Sequence, residues 1–409
     1  MRRAFQAGSS RPAGALTVAG LALGPAVALG FARFAYALLL PPMRENLHWS
    51  YATAGLMNSA NALGYLAGAI ATGAIARHIG VRRAFLVGLV VSVVTLLAMA
   101  GSGDTAFLLV VRTISGVSGA VTFIAGAGLA AEILAASTPG KAAAVLGLYF
   151  AGGGAGIVLS GLAIEPLLGS AGGTGDWQLG WIVLGAIGVI SLLVATPAAL
   201  VAKDPPPPPK ASRRWPAHQM VPLIVSYALF GVGYIAYMTF VVAFLRGEGA
   251  GTGEISVFWL VLGVLSIFSV FAWARPISRL RGGAGVSLVL GVLTIGALLP
   301  LLSRSPWAVI GSAVLFGTSF LSVVTAVTAV ARRLLDRHYW TPAIAGLTVA
   351  FAAGQCLGPV LSGILSSGSA GLQEGLALSP VLLAVAGLVA LAQRDRQEEI
   401  SGSHRSAAG

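Results

Sequence analysis

Twelve apolar stretches, each long enough to cross a lipid bilayer, run through this chain with only short polar breaks between them. They fall near residues 16–41, 52–75, 84–101, 105–131, 142–166, 178–201, 219–245, 254–274, 284–302, 306–331, 342–367 and 376–392. About 18–25 apolar residues make a helix that spans a hydrocarbon core ~30 Å thick. Within that core no water satisfies an open backbone amide, so each stretch is restricted to helix. Composition agrees: 56% of the 409 residues are hydrophobic and 9% charged, more apolar surface than a soluble domain can hide. The 55 glycines suit close helix–helix contact in lipid, with small-xxx-small spacings at Gly64-Gly68 and Gly152-Gly156.

The net charge of +12 does not signal a nucleic-acid partner once its distribution is read. Of the 25 Lys and Arg, Arg33 and Arg112 lie within spans, and Arg44, Arg246 and Arg304 lie in loops on one side. The other twenty sit in the loops after even-numbered spans and in the two tails, on the opposite side. The positive-inside rule therefore predicts that both termini are cytoplasmic. The basic start followed by an apolar run is too long for a signal-peptide core and contains Arg33, so it reads as a retained first helix. The single cysteine, Cys356, excludes an internal disulfide.

Between the sixth and seventh spans lies KDPPPPPKASRRWP, Lys203 to Pro216, whose five consecutive prolines favour extended polyproline II. It divides the chain into a cytoplasmic tail (1–15), a six-helix half (16–201), a proline-rich cytoplasmic linker (202–218), a second six-helix half (219–392) and a cytoplasmic tail (393–409). The halves echo each other at an offset of about 201–202 residues. GFARFAY (Gly30 to Tyr36) in the first span answers GVGYIAY (Gly231 to Tyr237) in the seventh, and Val158-Leu159-Ser160-Gly161 answers Val360-Leu361-Ser362-Gly363. Two six-helix halves in the same orientation form a parallel repeat, an arrangement of the major facilitator superfamily.

Local motifs support that resemblance. The loop after the second span, Gly73 to Arg83 (GAIARHIGVRR), resembles the family's Gly-x-Leu-x-Asp-Arg-x-Gly-Arg-Arg loop, which implies gating roles for Arg77, Gly80, Arg82 and Arg83. Arg77 stands where the family usually has its aspartate, so the aspartate-centred latch cannot form in the usual way. The same basic residues also read as a cytoplasmic anchor. The fourth span carries Arg112 ahead of a glycine-rich face, resembling the family's helix-4 motif. The fifth, GLYFAGGGAG from Gly147, is a glycine-dense relative of the antiporter motif without its proline. The stretch GFARFAYALLLPPM, Asn61 to Tyr65 and the Tyr/Gly-rich seventh span resemble the YbfB/YjiJ-like subfamily. The resemblance implies an all-α fold of twelve transmembrane helices in a bacterial inner membrane; it does not imply a substrate.

Arg33 and Arg112 are the two cations inside spans. Each lies eight residues from a span end, taken as Pro41-Pro42 for the first span and Asp104 for the fourth, which puts both ~12 Å from the outer surface. Arginine in hydrocarbon is retained where it faces a cavity, a partner or a substrate. Bound carboxylate or phosphate would satisfy two neighbouring guanidinium forks. The alternative is that each only ties its helix to backbone carbonyls. Asn58, Asn61 and Tyr65 share one face of the second span, and Tyr36, Tyr234, Tyr237 and Gln355 add polar tips to apolar walls. These side chains either line a substrate cavity or bond between helices.

No Asp, Glu or His falls mid-membrane. Glu132, near the inner end of the fourth span, is the candidate for coupling, with an ion pair to cytoplasmic arginines as the plainer reading. The five histidines lie in loops or tail, and HExxH, GxSxG and P-loop motifs are absent, so no enzyme, metal site or cofactor is expected. Loops and tails of at most ~20 residues leave no room for a receptor's soluble domain. The expectation is a secondary transporter, monomeric in the bilayer, for a small molecule. Either that molecule is an organic anion held by the arginines, or the protein effluxes neutral or amphipathic compounds with both arginines structural.

Overall fold

The computed structural model describes residues 10–135, 142–170, 177–206, 215–368 and 371–395. Among the described residues all regular structure is helical, and twelve helices are long and apolar enough to cross a membrane. These are α1 (Gly14–Asn46), α2 (Tyr51–Ile79), α3 (Val81–Ala98), α4 (Thr105–Ala135), α5 (Ala142–Ser170) and α6 (Trp177–Val201). The remainder are α7 (Val221–Gly247), α8 (Thr252–Arg279), α9 (Ala284–Leu302), α10 (Pro306–Leu334), α11 (Trp340–Ser366) and α12 (Leu372–Leu391). The chain forms two compact units, Met1–Trp49 with Ala60–Lys210 and Ser50–Ser59 with Ala211–Gly409. Most of the proline run, residues 1–9 and 396–409 of the two tails, and Lys141 lie outside the described residues.

In the first unit α1 is the most buried helix and packs on α4, α5 and α6. Its approach to α5 is backbone-close. A Cβ on Gly152 would overlap the Ala22 carbonyl, one on Gly156 the Ala26 carbonyl, and one on Gly30 the Gly156 backbone. α2 meets α4 in the same way, through Gly64 and Gly68 against Thr113 and Val117 and through Gly116 against Asn61. In lipid, where burial gives no net hydrophobic drive between helices, such contact supplies the dispersion energy of association. The second unit repeats the plan: α7 is its most buried helix, packs on α11 and α12, and brings Gly231 against the Phe351 carbonyl.

α1 departs from expectation at two points. Ala26–Phe34 is wound as a π-helix, with Ala35 N–H bonded to Gly30 O at 2.9 Å. Pro41 and Pro42 do not stop the helix; it continues through them to Asn46. The fixed φ of proline is helical, but each ring removes an N–H donor and crowds the carbonyl four residues back. The last turn of α1 is secured from α6, where Trp181 Nε1 donates to Met43 Sδ at 3.4 Å and Trp177 Nε1 to Asn46 Oδ1 at 3.0 Å. From Arg33 to Asn46 the helix rises ~20 Å, so Arg33 lies farther from the C-terminal end of α1 than a helix stopped at Pro41-Pro42 would place it.

Candidate functional site

The N-terminal unit gathers five of the predicted residues into one polar cluster. Arg33 leaves the π-helical stretch of α1, a geometry that recurs at functional sites. Its guanidinium lies over the Tyr65 ring of α2, 5.0 Å from the centroid. The residue is 4% exposed, yet its Nε and Nη2 meet no acceptor among the described residues. No carboxylate among the described residues pairs with it. Arg112 of α4 is placed differently. It is 1% exposed, donates from Nη1 to the Ala32 carbonyl at 2.6 Å and lies 4.6 Å over the Tyr36 ring. Asn61 Nδ2 in turn donates to the Arg112 carbonyl at 3.2 Å. Arg112 thus ties α4 to α1 and Asn61 ties α2 to α4. The charges of Arg33 and Arg112 are near enough to repel, which leaves a net positive field in a buried place.

Replacing Arg112 should therefore loosen the bundle. Arg112→Met removes the hydrogen bond to the Ala32 carbonyl and the contact with Tyr36, a loss of about 2 kcal/mol. The expected result is a lower thermal midpoint in detergent, measured beside Arg33→Met.

The other predicted lining residues belong to the second unit. Asn58, in the segment of α2 that clusters with that unit, donates to Thr239 Oγ1 of α7 at 2.6 Å. The Tyr237 hydroxyl is 2.5 Å from Ser312 Oγ of α10, and Ser312 donates to the Gly296 carbonyl at 2.6 Å, so this tyrosine joins α7, α9 and α10. Tyr234 accepts a hydrogen bond from Gln355 Nε2 of α11. The sequence does not bring these last two together by spacing; only the packing of α7 on α11 does.

At the predicted cytoplasmic end, Gly80 turns the chain between α2 and α3 with φ of 87°, a left-handed value that favours glycine. Asp204, just past α6, supplies a carboxylate that the motif lacks at Arg77. Its Oδ1 accepts from the Arg82 backbone N–H at 2.9 Å, capping the start of α3, while Arg82 Nη2 donates to the Ala202 carbonyl at 2.6 Å. Next to it, Lys203 Nζ lies 3.9 Å from Glu132, so the partner of Glu132 is a lysine of the linker. Arg77 and Arg83 are exposed. Gly80, Arg82 and Glu132 thus converge on the first residues of the linker. Sequence reading missed Asp204, although it is the one acidic residue of the linker and directly follows a span. Asp204→Ala should cost about 1 kcal/mol through the lost cap, whereas Asp204→Asn should stay near the parent; thermal unfolding distinguishes them.

Comparison with known proteins agrees with this architecture. The pattern of a family described as "Uncharacterised MFS-type transporter YbfB" matches residues 25–391. A protein of Streptomyces lividans named "Chloramphenicol resistance protein" is 28% identical over 384 residues, 89% of this chain and 92% of that protein. The fold is that of the nucleoside transporter NupG, at a TM-score of 0.68 and 12% identity over 93% of this chain and 98% of that one. It is also that of a bacterial homologue of the human lysosomal transporter Spinster, solved inward-facing and occupied, at a TM-score of 0.66 and 17% identity over 93% and 96%. The chain belongs to the YbfB-like family of the major facilitator superfamily and is a multi-pass membrane transporter, not an enzyme.

Proposed function

We propose that this transporter carries a small organic anion, bound through Arg33, across the bacterial cytoplasmic membrane by alternating access of its two halves. The observation that carries the reading is Arg33: a buried guanidinium with two nitrogens that meet no acceptor, and no carboxylate paired with it, among the described residues. Isolated buried charge is strongly unfavourable and is kept where something pairs with it. Because Arg112 is already engaged with Ala32 and Tyr36, the unused donors belong to Arg33, and a ligand carboxylate matches a guanidinium fork. The basic loops and tails support cytoplasmic termini.

A second reading is favoured by the name of the Streptomyces lividans relative. In it, the protein exports a neutral or amphipathic compound and the arginines are structural. A thermal-shift screen of the purified protein separates the two, with benzoate, succinate, chloramphenicol and tetraphenylphosphonium as probes. A ligand at 100 times its dissociation constant stabilises by about 2.7 kcal/mol. Stabilisation by the carboxylates alone supports the anion reading; stabilisation by chloramphenicol or the cation alone replaces it with efflux.

A further inference from the structure

Three helices of the second unit carry aromatic rings that share one orientation. Tyr227, Phe230 and Tyr234 occupy one face of α7. Phe351 of α11 stacks on all three, with centroid distances of 4.7, 5.4 and 5.6 Å and interplanar angles of 11°, 11° and 16°. Phe320 of α10 extends the row from Tyr234 at 6.3 Å and 16°. Buried aromatic pairs adopt both edge-to-face and offset-stacked geometries, yet every pair in this row is stacked, so the rings present parallel faces.

Gln355 lies four residues beyond Phe351, on the same side of α11. It is 1% exposed, and its Nε2 donates to the Tyr234 hydroxyl while its Oε1 meets no donor among the described residues. Buried amide oxygens are nearly always bonded, and one left open among aromatic rings is held at a cost in desolvation. A molecule offering a flat ring and a hydroxyl or amino hydrogen would use both features.

We infer that the parallel rings of α7, α10 and α11, with Gln355, bind an aromatic ring of the carried molecule, a ring O–H or N–H donating to Gln355 Oε1. The inference rests on the transporter reading but not on Arg33, and it applies whether the rest of the molecule is anionic or neutral.

Binding to the purified full-length protein by isothermal titration tests it with two matched series. One is 4-hydroxybenzoate, benzoate and cyclohexanecarboxylate; the other is 4-hydroxybenzamide, benzamide and cyclohexanecarboxamide. In at least one series the aromatic compound should bind about tenfold more tightly than its saturated-ring counterpart, and the 4-hydroxyl should add a further several-fold. Gln355→Leu should erase the hydroxyl advantage and keep the aromatic preference, while Phe351→Leu should shrink the aromatic preference. Gln355→Met, close to glutamine in length, serves if Gln355→Leu does not fold. Equal affinity for aromatic and saturated rings, no binding in either series, or a hydroxyl advantage that survives at position 355 would overturn the inference. Failure of the anion reading shows separately, as binding by the amide series alone.

Discussion

Arg33→Met is expected to abolish binding of an anionic substrate while leaving the protein at least as stable as its parent. The two effects have one cause. In the free protein Arg33 is a buried cation whose Nε and Nη2 have no acceptor among the described residues. An unpaired buried charge is strongly unfavourable, and even paired buried ionic groups can be replaced by apolar side chains neutrally or with a gain of about 1–4 kcal/mol. Against this stands the contact with the Tyr65 face, about 1 kcal/mol. With substrate bound the balance reverses. Charge-assisted hydrogen bonds contribute about 1.5–3 kcal/mol each, so losing two weakens binding roughly 10²–10⁴-fold. Arg33→Lys keeps the charge without the fork and should fall between. Thermal unfolding and ligand titration on the same preparations read both halves. A destabilised Arg33→Met that still binds anions at parental affinity would make Arg33 a structural residue.

The contrast with Arg112 sharpens this test. Both arginines lie inside spans, but among the described residues only Arg112 has a carbonyl partner for Nη1 at hydrogen-bond distance. Its removal should lower stability, and removal of Arg33 should not.

Gly156→Ala is expected to be among the most damaging single-methyl changes in the protein. The added Cβ would overlap the Ala26 carbonyl and lie 2.8 Å from Gly30 Cα and 2.9 Å from Ala26 Cα. All three are backbone atoms, so no side chain can swing aside. Overpacking of this kind costs about 1–3 kcal/mol or more where the backbone must move. Gly152→Ala, against the backbone of Ala22, should behave alike, and the pair together should prevent recovery of monodisperse protein. The control is Gly291 in α9, where a Cβ meets nothing within 4 Å. There alanine should stabilise by about 0.5–1 kcal/mol, because it limits the unfolded backbone. Size-exclusion profiles and thermal midpoints for the three variants decide the matter. Equal behaviour of Gly156→Ala and Gly291→Ala would refute the close α1–α5 contact.

Hydrophobic length alone determined the twelve spans, because a chain in lipid has no alternative to helix for its backbone groups. The glycine pairs at 64/68 and 152/156 likewise announced close contact, and the matched glycines of the repeat, Gly30 and Gly231, each press against a neighbouring backbone. These features are periodic or compositional, so they are legible along one dimension.

What the tertiary structure alone decided is which polar atoms remain unused. Arg33 and Arg112 look equivalent in sequence, and only packing gives Arg112 the Ala32 carbonyl and leaves Arg33 with the face of Tyr65. The last turn of α1 continues past two prolines where tryptophans of α6, more than 130 residues away, bond to it. Asp204 reaches Arg82 across a sequence separation of 122 residues, and Gln355 reaches Tyr234 across 121. Helix formation is local, whereas satisfaction of a buried donor depends on whatever the fold brings alongside it.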